Sequence, residues 1–385
     1  MIPLTEKQKH IEELITSVVD REISPIAGDI DEADVFPEKA YQALKQAGIL
    51  KVALPEEYGG MAADAVSLCL VIKTLASASP ATALIVFPTS AVIRTIDKAG
   101  NPAQRERFFS AMRDGSKMGG FVLTEPNHGS DAGSLTTMAV RDGDYYVVNG
   151  AKSFITLGSV ADYYLCFVRT GPGKGTAGVS ALIVEKDTPG LTFGLPERKM
   201  GLRGSVNAQL FFQNALVPAA NLIGAEGQGW RVLTEAANTM RVWGAASLAL
   251  GIAEGAFKAA MDHTGKRSQF GKRIAKFQAV QFMLADMKIK IEAVRSLVFR
   301  TAQLIDSGQG TPQDIETMVA ICKCHASDVA MQVAIDAVQV LGRSGCQSGS
   351  IVERLMRDAK AVQIFDGSNQ IQRLIVSRNL FRPLS

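Results

Sequence analysis

The sequence predicts an α+β chain in three parts: an N-terminal helical bundle, a middle antiparallel β-barrel and a C-terminal four-helix-type bundle. Three observations carry this. Residues 5–120 show helical periodicity, and residues 121–228 break into short β-branched and aromatic runs separated by turns. After Gly227-Gln228-Gly229 the apolar spacing becomes helical again. The expected domains are 1–120, 121–228 and 229–385, in keeping with a 385-residue chain too long for a single core.

In the first part the run Leu54-Pro55-Glu56-Glu57-Tyr58-Gly59-Gly60 stops any helix, because Pro and paired Gly cannot continue one. Between Lys73 and Arg94 stand 20 uncharged residues, the length a bilayer core demands. Pro80, Pro88 and six Ser/Thr hydroxyls argue instead for two short buried helices meeting at a proline-containing bend. Such a wall suits an apolar pocket rather than a membrane.

In the middle part, strands are expected at Tyr145 to Val148, Tyr163 to Val168, Val179 to Val184 and Gln209 to Phe212, with turns at Asp142-Gly143 and Asn149-Gly150. In the third part, Phe277, Val280, Leu284, Met287, Ile291, Val294 and Val298 are spaced 3, 4, 3, 4, 3, 4, a narrow stripe for nearly parallel helix packing. Thr311, Pro312 and Asp314 read as a capped helix start, and Gly342 as its end. Gly244, Gly251 and Gly255 lie near one helix face and allow close backbone approach.

Composition narrows the function. With 41 Lys+Arg against 38 Asp+Glu, the charge of +3 leaves no basic surplus for nucleic acid. The profile, 47% hydrophobic and 21% charged, excludes a disordered chain, a collagen and a coiled-coil rod. Cys69, Cys166, Cys322, Cys324 and Cys346 form no C-x-x-C and read as reduced thiols. The charged amino terminus, residues 1–8, has no apolar signal core, so a bacterial cytoplasm is expected.

Gly173-Lys174-Gly175-Thr176-Ala177-Gly178 matches the G-x-G-x-x-G fingerprint of dinucleotide sites, but a β-branched run follows where a helix is required, so a hairpin loop is expected. Cys322-Lys323-Cys324-His325 points its thiols to different helix faces, and no metal is expected. The run Phe121-Val122-Leu123-Thr124-Glu125-Pro126-Asn127-His128-Gly129-Ser130-Asp131 reads either as an inter-domain turn or as a loop offering amides and hydroxyls to a planar, heteroatom-rich cofactor. Similarly, in Ile364-Phe365-Asp366-Gly367-Ser368-Asn369-Gln370, Asp366 is either a helix-capping acid or a functional carboxylate.

Together with Arg267-Ser268-Gln269-Phe270-Gly271 and Gln339-Val340-Leu341-Gly342-Arg343, these motifs make the chain resemble the acyl-CoA dehydrogenase family over essentially its whole length. The likeness extends to Lys152-Ser153-Phe154-Ile155-Thr156, Leu284-Ala285-Asp286-Met287 and Leu355-Met356-Arg357-Asp358-Ala359-Lys360. It implies an FAD enzyme, usually a homotetramer built as a dimer of dimers, that desaturates acyl-CoA thioesters and passes electrons to electron-transfer flavoprotein. Asp366 is then the base for the α-proton. Phe121, Leu123, Thr124, Gly129, Ser130, Phe154, Ile155 and Thr156 would surround the flavin ring. Arg267, Gln269 and Phe270 from a neighbouring subunit, with Gln278, Gln339, Val340, Gly342 and Arg343, would hold the pyrophosphate and adenine, and Ser368 and Gln370 the adenosine part. Ser130, Asn238, Arg241 and Gly367 would contact the CoA thioester.

Three departures from the family pattern stand out. Asp366 replaces the usual Glu, and Met240 occupies the place of the relocated Glu that some members carry before the arginine matching Arg241. Aspartate withdraws the carboxylate by about 1.5 Å, which favours a differently seated substrate. Asp at this site occurs in family members that act on cyclohexanecarboxyl-CoA, so the resemblance favours an alicyclic substrate and implies conversion of cyclohexane-1-carboxyl-CoA to cyclohex-1-ene-1-carboxyl-CoA. The alternatives are a short- or branched-chain acyl-CoA dehydrogenase and a non-catalytic acyl-CoA or flavin-binding homologue. Phe154 replaces a usual Trp and Arg343 a usual Gly. An oxidase is disfavoured, since the chain lacks the C-terminal extension typical of acyl-CoA oxidases.

Overall fold

The computed structural model describes residues 3–173 and 175–381. Met1 and Ile2 of the charged amino terminus, Lys174 of the glycine-rich loop and residues 382–385 lie outside the described residues.

Helices α1 (Glu6–Val18), α2 (Ala27–Ala33), α3 (Glu38–Gln46), α4 (Ala65–Ala78), α5 (Pro80–Ala99) and α6 (Pro102–Met112) form the first part. The uncharged stretch at 74–93 holds the expected bend between two buried helices, but they are not short: α4 has 14 residues and α5 has 20. The bend is at Ser79, extended at φ −143°, whose hydroxyl caps α5 while Pro80 fills the first turn. Pro88 sits within α5 without ending it.

The sheet strands are β1 (Gly119–Val122), β2 (Met138–Asp142), β3 (Tyr145–Thr156), β4 (Tyr163–Arg169), β5 (Val179–Glu185), β6 (Leu191–Phe193), β7 (Asn207–Pro218) and β8 (Leu222–Ile223). Their order is β6-β7-β3-β2-β4-β5-β8, with β1 also on β4. Two expectations are corrected here. The sheet is open rather than a closed barrel, because its end strands β6 and β8 are only three and two residues long and pair inward alone. Nor is it purely antiparallel, since β1 runs parallel to β4. The Asn149-Gly150 pair is not a turn between strands but a bulge inside β3, where the register against β7 shifts. Thr137 packs so closely that only glycine fits at Gly150. The glycine-rich stretch after β4 is the hairpin loop expected, its carbonyls at Gly173, Gly175 and Ala177 gathered by the Arg169 guanidinium.

The last part holds α7 (Gly229–Val232), α8 (Ser247–Lys266), the ribbon β9 (Ser268–Gln269) and β10 (Lys272–Arg273), α9 (Gln278–Ser307), α10 (Pro312–Leu341), α11 (Ile351–Val362) and α12 (Asn369–Phe381). Thr311 and Asp314 form the expected capping box of α10. Leu284, Met287, Ile291, Val294 and Val298 are the buried stripe of α9. Although α10 is long and apolar enough to cross a bilayer, it packs against α8, α9, α11 and α12. Gly251 and Gly255 let α8 press against the Lys73 and Ser77 carbonyls of α4, and Gly244 receives the Phe87 ring of α5.

Buried polar contacts knit the parts together. The Asp306 carboxylate, near the end of α9, accepts from the Ala65 and Val66 amides at the start of α4 at 2.7 and 3.0 Å. Arg357 of α11 forks onto Asp31 of α2 at 2.9 and 2.6 Å. Asp358 accepts from the Leu202 amide that precedes β7.

Candidate active site

Asp366 lies in the turn between α11 and α12, where it and Gly367 adopt left-handed backbone at φ +54° and +84°. For aspartate this conformation is unfavourable and has to be held by its surroundings. The holding groups are evident. Arg241 Nε donates to the Asp366 carbonyl at 2.7 Å, Lys323 Nζ donates to the Gly367 carbonyl at 2.8 Å, and Gln372 Nε2 reaches both at 3.3 and 3.1 Å. The amide end of Gln372 fills the space a Cβ at Gly367 would need.

Such fixing of the backbone leaves the side chain free for chemistry. Asp366 Oδ2 is buried and meets no hydrogen-bond partner among the described residues. Burial pushes the Asp366 carboxyl above the usual carboxylate range, while the positive charges of Arg241 and Lys323 oppose the shift. The capping alternative is not what the turn builds, since Ser368 Oγ, not Asp366, accepts from the Ile371 amide in the first turn of α12. A carboxylate of raised basicity, half-buried and with one oxygen withdrawn from solvent, fits a proton-abstracting base.

Arg241 opens a π-helical turn, Arg241–Ala246, that follows a second one at Leu233–Ala237. Such wide turns displace side chains from α-helical register and recur at functional sites. Here the displacement aims the guanidinium at the Asp366 carbonyl while its NH1 reaches the Asn238 amide oxygen. Asn238, Arg241, Asp366 and Gly367 are thus one cluster, and Met240 beside it is buried.

A second cluster forms where β1 runs on toward β3. The Ser153 amide donates to the Thr124 carbonyl at 2.9 Å, which brings Phe121, Leu123 and Thr124 beside Phe154, Ile155 and Thr156. Phe154 sits at a further β3 bulge with φ +54°, and its ring is 63% exposed. Beneath them Glu125 and Lys152 form a buried ion pair at 3.0 Å. Lys152 also donates to the Leu123 and Phe167 carbonyls, and Glu125 accepts from the Thr136 and Thr137 amides. Burial pushes the Glu125 carboxyl upward, but Lys152 and the Thr136 and Thr137 donors hold it down to about 2.

The remaining expected residues are distributed over the loop after β1, the β9–β10 ribbon and the start of α9, the end of α10 and the start of α12. Gly129 and Ser130 are exposed on the loop after β1. Arg267, Gln269 and Gln278 are exposed around the β9–β10 ribbon, where Phe270 is 93% exposed. Gln339, Gly342 and Arg343 are exposed and Val340 half-buried at the end of α10, with Ser368 and Gln370 at the start of α12. Sequence reasoning missed Lys152, Lys323 and Gln372 as holding groups. A lysine inside an apolar helical run, Val319 to Cys324, was the available signal for Lys323.

The N-terminal, middle and C-terminal domain descriptions of acyl-CoA dehydrogenase match residues 5–116, 120–215 and 227–381. A cyclohex-1-ene-1-carbonyl-CoA dehydrogenase of Geobacter metallireducens is 44% identical over 381 residues, covering 99% of both chains. Its namesake in Syntrophus aciditrophicus is 43% identical over 100% of this chain and 92% of the relative. A short-chain-specific acyl-CoA dehydrogenase of Clostridium acetobutylicum is 38% identical, covering 98% of this chain and 99% of its own. Among solved structures, butyryl-CoA dehydrogenase from Megasphaera elsdenii superposes with a TM-score of 0.94 at 37% identity, covering 99% of this chain and 100% of that one.

Proposed function

The chain belongs to the acyl-CoA dehydrogenase family, and from that membership we propose that it desaturates an alicyclic acyl-CoA, cyclohexane-1-carboxyl-CoA, with Asp366 as the base. Family members are FAD flavoproteins acting on the CH–CH bond of acyl-CoA, and this chain is one of them. Residues of suitable chemistry are present for the flavin: the exposed Phe154 ring offers an apolar face, and Thr124 and Thr156 offer hydroxyls for a heteroatom edge. When bound, FAD would supply the acceptor for the hydride that leaves Cβ.

The protein's own part is the proton. Asp366 removes the proton from Cα, leaving its electron pair, and the charge that develops on the thioester oxygen is taken by the Asp366 backbone N–H. A carboxylate with a buried, unpartnered oxygen is a stronger base toward a carbon acid than one in water. Being one methylene short of the usual Glu, it leaves about 1.5 Å of space over a Cα that a ring substrate crowds with two substituents.

The two cyclohexenyl relatives support the ring, yet the substrate in their name is the product of this reaction. The difference matters chemically. In cyclohex-1-ene-1-carbonyl-CoA the α-carbon is doubly bonded and carries no hydrogen, so a base aimed at Cα has nothing to remove. The saturated ring retains that hydrogen.

Electrons would pass to electron-transfer flavoprotein. A homotetramer is supported by the exposed Arg267, Gln269 and Phe270 ribbon and by exposed Phe282, Ile289 and Leu374 on the last bundle. A bacterial cytoplasm suits its five free cysteines.

The carrying observation is Asp366, raised in basicity and held by Arg241 and Lys323. Anaerobic flavin bleaching with cyclohexane-1-carboxyl-CoA, cyclohex-1-ene-1-carboxyl-CoA, isobutyryl-CoA and butyryl-CoA tests the reading. Fastest bleaching is expected with the saturated ring. Butyryl-CoA outrunning both rings would return the enzyme to the short-chain class, represented by the Clostridium acetobutylicum relative.

A further inference from the structure

Lys323 is fully buried in α10, and its Nζ donates to two neutral oxygens, the Gly367 carbonyl at 2.8 Å and Asn369 Oδ1 at 3.1 Å. Burying an ammonium is costly, and the usual relief is a carboxylate partner. Here the two partners take two of the three ammonium hydrogens and leave the charge unneutralised. The nearby Asp328 cannot serve, because it is occupied by Arg373 at 2.6 Å, Gln363 at 2.7 Å and Asn369 at 2.7 Å. Among the described residues the remaining anionic group near this ammonium is Asp366, whose Oδ2 meets no hydrogen-bond partner there.

Resting on the reading of Asp366 as the base, we propose that Lys323 is a positioning residue of this site: through the Gly367 carbonyl it holds the turn that aims Asp366, and its ammonium is the positive charge that α10 brings to that turn. Two functions meet in one side chain. Arg241 grips the turn from the π-helical segment at the Asp366 carbonyl, and Lys323 grips it from α10 at the next carbonyl. Rotating either peptide would break one of these bonds, so the left-handed pair at Asp366 and Gly367 is clamped from two sides. Asn369 continues the clamp, since its amide also bonds Ser327 Oγ at 2.9 Å and so ties the start of α12 to α10.

The charged and titratable groups around the pair are few. Arg241 and Lys323 face Asp366. Lys323 faces Asp366, Arg241, Cys324 and Asp328, and Arg241 is also within reach of Glu316. Burial lowers Lys323 to about 8, so it is mostly charged at neutral pH. Removing it takes away a positive charge beside Asp366 and makes that carboxyl easier to protonate. The acidic limb of any Asp366-dependent rate then moves to higher pH.

The test uses the flavin-loaded enzyme with Lys323→Met, Lys323→Gln, Asp366→Asn and Ser327→Ala. Two quantities are read across pH 5 to 9: anaerobic flavin bleaching, and exchange of the thioester α-hydrogen with deuterated solvent by mass spectrometry. Lys323→Met is expected to slow both by about 10- to 100-fold at pH 7 with acyl-CoA binding changed less than about threefold. Its acidic limb is expected to move up by on the order of half to one pH unit. Lys323→Gln keeps a donor without the charge and is expected to recover the high-pH rate while retaining the displaced limb. It carries the test alone if the Met variant does not load flavin. Ser327→Ala, a control for loosening of the α10–α12 contact, is expected to leave the limb in place. Wild-type rate and limb in either Lys323 variant, with Asp366→Asn inactive, would overturn this inference alone. Asp366→Asn bleaching and exchanging normally would overturn the base assignment and this inference with it.

Discussion

Glu125 and Lys152 form an ion pair of 3.0 Å with both side chains withdrawn from solvent, and it fastens the loop after β1 to the bulged end of β3. Lys152 spends its other hydrogens on the Leu123 and Phe167 carbonyls, and Glu125 its other oxygen on Thr136. The floor under Thr124 and Phe154 is therefore a closed polar network inside an apolar sheet.

Breaking it from one side leaves a buried charge unpaired. Glu125→Gln is expected to destabilise the protein by about 3–5 kcal/mol in chemical denaturation and to release FAD more readily. The pair also sets an acid limit. Because the folded Glu125 titrates at about 2, below its unfolded value, its contribution is complete above about pH 4.5 and is lost as pH falls toward 2. A variant as stable as wild type at pH 7 would remove this role.

Asp358 has the opposite sign. Burial raises its carboxyl to about 6, so the folded state holds the proton more tightly than the unfolded chain. Its favourable contribution is full below about pH 4 and is lost as pH rises through 6. Asp358→Asn can still accept from the Leu202 amide and is expected to gain melting temperature relative to wild type between pH 4 and 7. A constant difference over that range would refute the assignment.

For Asp366, the Asn variant keeps shape and loses the base. Flavin reduction is expected to fall by about 10² to 10⁴ with substrate binding retained. Asp366→Glu extends the carboxylate into the space assigned to the ring, so it is expected to slow cyclohexane-1-carboxyl-CoA while sparing or improving butyryl-CoA. Single-turnover bleaching decides. A Glu variant faster with both substrates keeps the base and removes the case for a ring.

Arg267 is exposed on a single chain, at the ribbon expected to reach the cofactor of a neighbour. Arg267→Ala is expected to lower FAD retention in a homotetramer, measured by absorbance and analytical ultracentrifugation. A stable monomer retaining FAD normally would dismiss the shared site.

Reoxidation separates the electron acceptors. Product-bound reduced enzyme is expected to react slowly with air and quickly with electron-transfer flavoprotein in stopped flow. Oxygen winning at physiological concentration would make the protein an oxidase.

The helices and the order of the three parts were legible in sequence because helix formation is local. Thr311, Pro312 and Asp314 cap α10 within four residues of one another, and the stripe from Leu284 to Val298 needs no distant partner to define its face. Asp366 was singled out from the sequence through its neighbours in the chain and their resemblance to a family. Sheet closure was not legible, since it depends on whether the short β6 and β8 meet, and strand composition is silent on that. Asn149-Gly150 looked like a turn because its residues permit one. Only the close approach of Thr137 to Gly150 makes it a bulge. Lys323 belongs to the same class: 43 residues before Asp366 in the chain, it is a cation in an apolar helix until folding carries the Gly367 carbonyl to its ammonium. Local preference sets which segments are helix or strand, whereas the environment that gives a carboxylate its basicity is made by groups that only the tertiary fold brings together.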